Sequence, residues 1–147
     1  MAFFMHKLGS LTMGSFAFTD ATVTVNGVDL SDWITQVSIS ISADELDDTA
    51  MGDTYRSRIS GLKDWSVTLE FNADFVAGAV DATIWPLFGT VTTVTVKATS
   101  AANSATNPQY SGSVLVSQVN PIGNSVGDKA TVSVTWPGAG ALSRLTA

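Results

Sequence analysis

The side chains that could do chemistry are few, and they are concentrated. Six of the thirteen acidic residues and three of the seven basic ones lie between Asp44 and Asp64. Adjacent carboxylates occur at Asp44/Glu45 and Asp47/Asp48. A glycosidase needs one acid in an apolar pocket with its partner several ångströms away, and neighbours in a polar stretch do not supply that. The stretch Asp47 to Asp53 lacks the alternating ligands of an EF-hand loop. The only histidine is His6, with nothing near it in sequence to orient it as a base for a serine or cysteine nucleophile. There is no cysteine, so disulfides and thiolate metal sites are excluded. Gly138-Ala-Gly140 follows a strand pattern but opens no helix, so it is not a phosphate loop. No catalytic residue, no metal ligand and no cofactor is expected.

Composition points the same way. The chain has 147 residues, one ordinary domain's worth over 1–147. Hydrophobic residues are 45% and charged residues only 14%, against roughly 25% in an average soluble protein. A surface so poor in charge suits a subunit covered by partners. The net charge of −6 argues against electrostatic binding to nucleic acid, and an acidic wall would instead repel it. No run approaches the 18 apolar residues of a membrane span, and the first residues lack the order of a secretory signal.

The elements that must position the charged segment are strands. Apolar residues alternate with polar ones at Val37-Ile39-Ile41, Trp65-Val67-Leu69-Phe71, Val94-Val96, Val114-Val116 and Val132-Val134-Trp136. Asn26-Gly27 signals a tight type I′ hairpin over about 21–30. Val76, Val80, Ile84, Leu87 and Phe88 lie at helical spacing within 75–88; Gly78 and Pro86 argue against a long helix, so one of two or three turns is expected there, with Asp74 as its candidate cap and Gly89 as its end. Residues 100–109 and 121–128 read as loops. Trp65 and Trp136 are in phase with the apolar strand positions, which favours packing over a sugar-binding platform.

Residues 44–64 then read as a long charged loop between strands ending at Ser42 and starting at Trp65. Long loops in compact domains are usually functional or disordered. This one is acidic first (Asp44, Glu45, Asp47, Asp48, Asp53) and basic later (Arg56, Arg58, Lys63). Such polarity suits binding to a second copy, with Tyr55 as an anchor, and equally suits a solvated loop. The apolar start, with Phe3, Phe4, Leu8 and Leu11 inside residues 1–19, reads either as an arm that docks on a neighbouring subunit or as a first strand.

In order, Asn26-Gly27-Val28-Asp29-Leu30, Asp47-Asp48-Thr49 and Gly61-Leu62-Lys63-Asp64, followed by a short helix, resemble the tail tube (major tail) proteins of long-tailed bacteriophages. The resemblance spans roughly residues 20–136. Ser60 stands where the family more often has Pro, and Pro86 is atypical within the helix. The resemblance implies two packed antiparallel sheets, sandwich- or barrel-like, with one flanking helix. It implies hexameric rings stacked into a tube that conducts genome DNA without specific binding, assembled in the host cytoplasm with other tail proteins. Six copies at −6 each would give a ring of about −36. It makes Asp47, Thr49, Gly61, Leu62 and Asp64 interface or loop-shaping positions. The other readings of the composition are a capsid decoration or head–tail connector protein, and a monomeric β-sandwich binding module.

Overall fold

The computed structural model describes residues 15–147. The expected arm residues Phe3, Phe4, Leu8 and Leu11 lie outside that range. Asn26 and Gly27 adopt positive φ angles of 51° and 81°, as a type I′ turn requires. They join β1 (Thr22–Val25) to β2 (Val28–Asp29), with Val25 opposite Val28. A 3-10 turn at Ser31–Trp33 leads into β3 (Ile34–Asp47), which pairs antiparallel with β4 (Arg58–Asn72). After α1 (Val80–Ile84) come β5 (Val91–Lys97), β6 (Gln109–Leu115), β7 (Thr131–Pro137) and β8 (Ser143–Leu145).

The strands form two antiparallel sheets among the described residues, and neither closes into a barrel. One has the order β2-β1-β5-β6-β8, the other β3-β4-β7. Alternate residues of both sheets meet in one core: Val23, Val25, Val94, Val96 and Val114 from the first, Trp65, Val67, Leu69, Phe71, Val132, Val134 and Trp136 from the second. Apart from Val23 and Val25, these are positions whose period-two alternation predicted buried faces; of the predicted row Val37-Ile39-Ile41, Val37 and Ile39 are only partly buried and Ile41 is exposed. Val80 and Ile84 of α1 pack into the same cluster.

Two expectations need correction. The first is the helix cap; the helix itself is short, as expected, and Gly78, at φ +81°, holds a left-handed conformation that no helix runs through. Pro86 lies in a separate 3-10 turn, Trp85–Leu87. Asp74 is not the helix cap. Its carboxylate accepts the Val76 N–H (2.9 Å) and the Trp33 indole N–H (2.8 Å), tying the segment before the helix to the start of β3. Gly89, at φ +80°, does follow the helical segment as expected.

The second correction concerns the charged segment. Residues 44–47 and 58–64 are strand, not loop, and only 48–57 form the connection. The alternation rule detects strands through a buried face. Beyond Ile41 and Trp65 this hairpin leaves the sandwich and has no buried face, so its strands carry no such signal.

Candidate subunit interface

The long hairpin is an arm. On the core-facing row of β3, Val37 and Ile39 are half-buried, whereas Ile41, opposite Trp65, is 61% exposed. Past that point every residue of β3 is exposed. From Ile41 to Asp47 the strand advances about 20 Å at roughly 3.4 Å per residue, and the connection at 48–57 lies beyond.

Local chemistry holds the arm in shape. Leu46 stands opposite Ile59, and Asp47 opposite Arg58. Arg56 pairs with Asp47 at 3.2 Å and Arg58 with Glu45 at 3.7 Å. The acidic and basic halves therefore meet within one hairpin at these two pairs, where the sequence suggested a meeting between copies. A register shift lies between Ala43 and Glu45. There Gly61 backs onto Asp44 and Leu46: a Cβ at Gly61 would sit 3.0 Å from the Asp44 Cβ. Leu62, beside it, is exposed. Gly61 thus permits the close approach of the two strands, and Asp64 turns back to accept the Trp65 N–H at 2.8 Å.

The tip is built from short-range hydrogen bonds. The Asp48 N–H donates to the Ser57 carbonyl (2.8 Å), and the Ser57 N–H returns to the Thr49 hydroxyl (3.0 Å). The Thr49 N–H donates to Asp47 (2.9 Å) and the Ala50 N–H to Asp53 (2.9 Å). Hydrogen bonds from Thr49, its side chain first and its N–H second, hold the Asp47 carboxyl below the ordinary carboxylate value of 3.8. With these polar groups turned inward, Met51 and Tyr55 are left at 103% and 88% exposure. Two large apolar side chains thus stand exposed together at the end of a hydrogen-bonded turn.

At the root of the arm the two sheets are stitched together. The Gly138 N–H donates to the Trp65 carbonyl (2.7 Å), and the next N–H, of Ala139, to the Ser113 carbonyl (2.8 Å). The Trp65 indole lies against Gly112 and Gly138 and donates to the Gly140 carbonyl at 2.7 Å. Beside it opens a groove of about 600 Å³, lined by Ile41, Lys63, Trp65, Tyr110, Leu142 and Arg144. Sequence reasoning missed this groove. The signal for it was the Pro137-Gly-Ala-Gly run, whose small residues allow the close approach to Trp65. Trp33 and Trp85 do not converge on it; Trp33 is tied to Asp74, and Trp85 lies on the 3-10 turn after α1.

Two packed antiparallel sheets, mainly β, define the class, and solved structures share that fold. One is a chain from the virion of a native gene transfer agent particle. It matches at a TM-score of 0.72 and 16% identity, over 88% of this chain and 98% of that chain. Another is a chain from the tail of an empty gene transfer agent particle, obtained by helical refinement with C6 symmetry. It matches at a TM-score of 0.64 and 19% identity, over 78% of this chain and 83% of that one. At these identities the likeness is one of fold. No protein-family model matches the sequence, and no curated protein is similar to it at a significant level.

Proposed function

We propose that this chain is a structural subunit of a phage-type tail, forming hexameric rings that stack into the tail tube, and that it is not an enzyme. The observation that carries the reading is the shared fold: 88% of the chain superposes on 98% of a gene transfer agent virion chain. The second similar chain comes from a tail with C6 symmetry, which supports rings of six. The arm supplies the physical means. A contact made by a projecting element on a different surface of the next copy is heterologous, and repeating it without closure builds a filament. The net charge of −6 per copy suits a conduit for DNA, since an acidic wall does not retain the polyanion. In this reading the Asp44–Asp64 hairpin is an intersubunit contact, and the partners are further copies and other tail proteins.

Negative-stain electron microscopy of the purified protein at high concentration tests it. Hollow tubes with a regular axial repeat are expected. Single rings that never stack would point to a connector. A protein that stays monomeric when its assembly partners are supplied would overturn the proposal.

A further inference from the structure

We propose that the groove at the root of the hairpin is the receptor for the hairpin tip of another copy, so that the arms link subunits tip to root. The inference deepens the tube reading and rests on it. Three observations carry it.

The first is an uncovered apolar row. Ile41 is in phase with the core-facing residues Val37 and Ile39 yet is 61% exposed. The core face of the sheet therefore runs past the sheet opposite it and floors an open groove with Trp65, Tyr110 and Leu142. A groove of about 600 Å³ is within the range that takes a few large side chains. The second is the tip, which offers two: Met51 and Tyr55, held outward by a hydrogen-bonded turn.

The third is charge. Lys63 and Arg144 line the groove, and neither makes an ion pair among the described residues. Arg144 stands opposite Tyr110 in the β6–β8 register, so both sit on one face. The groove's one acid, Asp64, accepts the Trp65 N–H. The tip carries Asp48 and Asp53, while its one base, Arg56, is paired with Asp47 behind it. A weakly acidic, apolar tip meeting an apolar groove with a basic lining is complementary in both respects. The tip cannot reach its own root, because a paired strand advance of about 20 Å separates them. A tip seated in the groove is therefore that of a second copy.

The chain has no cysteine, which makes the test clean. Thr54→Cys, beside the Tyr55 anchor, and Ala141→Cys, both at exposed positions, are introduced together in the full chain and treated with a short bismaleimide after assembly. Tubes that yield a covalent ladder on a denaturing gel, with neither single-cysteine variant doing so beyond a dimer, are the expected result. Tubes that form without the ladder would overturn the groove assignment and leave the tube reading intact. A ladder from Phe4→Cys with Ala141→Cys in its place would assign the groove to the N-terminal segment and likewise overturn it. Absence of any polymer from the unsubstituted chain would remove both readings. As a second readout, Lys63→Glu with Arg144→Glu is expected to raise the concentration needed for assembly at least tenfold, and Asp48→Lys in the same chain to restore part of that loss. Unchanged assembly by the charge-reversed protein would count against the groove as decisively as the missing ladder.

Discussion

Trp65 has glycine on two sides, and that closeness sets what the site tolerates. A Cβ at Gly112 would lie 2.6 Å from the indole, and one at Gly138 would collide with its Nε1. Gly138→Ala must therefore move the ring or the strand crossing. We expect a loss of about 1–3 kcal/mol, the usual cost of overpacking, read as a lower urea midpoint with an unchanged slope. A second residue-scale expectation concerns acid. The Val76 N–H, and then the Trp33 indole, hold the Asp74 carboxyl below its ordinary value of 3.8. A carboxyl depressed in the folded state adds stability that is complete above the unfolded value and is lost as pH falls through the folded one. Thermal midpoints measured from pH 5 down to pH 2 should fall for the native chain, and less steeply for Asp74→Asn. Equal slopes would show that Asp74 has no part in acid unfolding. Of these two sites, only the phase of Trp65 was legible beforehand. The Trp33–Asp74 bond joins residues 41 apart, and no local pattern encodes so distant a meeting.

The arm and the sandwich answer to different energies. Each large core side chain, such as Phe71 or Trp136, contributes roughly 1.5–3 kcal/mol by burial. The pairs Arg56–Asp47 and Arg58–Glu45 are exposed, and such pairs are each worth about 0–1 kcal/mol. Folding of the body therefore does not depend on the arm. Replacing residues 44–60 with a short Asn-Gly turn should leave the unfolding transition of the sandwich in place and abolish assembly. Persistence of tubes in that variant would dismiss the arm as the link between subunits. A narrower change, Met51→Asp with Tyr55→Ala, should leave stability within about 0.5 kcal/mol of the parent, as surface substitutions usually do. It should also raise the assembly threshold at least tenfold on sedimentation. The body's strands were readable because each has one wet and one dry face. The outer part of the arm was misread as loop because both of its faces are wet. The helix is short because Gly78, at φ +81°, breaks the backbone path although Val76 fits the apolar period, and both Gly78 and Pro86 signalled this in the sequence.

For the molecule as a whole, assembly and stability are linked. A partner that binds only the folded chain raises its melting temperature with concentration. The parent protein should show such dependence in differential scanning calorimetry, and the arm-deleted chain should not; parallel behaviour would show that the assembly does not involve the arm. The alternating strands and the single short helix were legible in patterning, and the two packed sheets were what the family resemblance implied. The stitching of the sheets at Gly138 and Ala139 was not legible, because it depends on backbone groups that every residue carries. Those same backbone groups have a mechanical consequence. If subunits are joined tip to root, a pull along the tube axis reaches each body through the two strands of its arm. Both strands share that load, and the cross-strand hydrogen bonds, which run perpendicular to them, hold the two side by side without having to carry it. The arm then acts as a tie bar that yields little to stretching. The polymer's compliance falls instead to bending at the root, where Trp65 and its glycines set the angle.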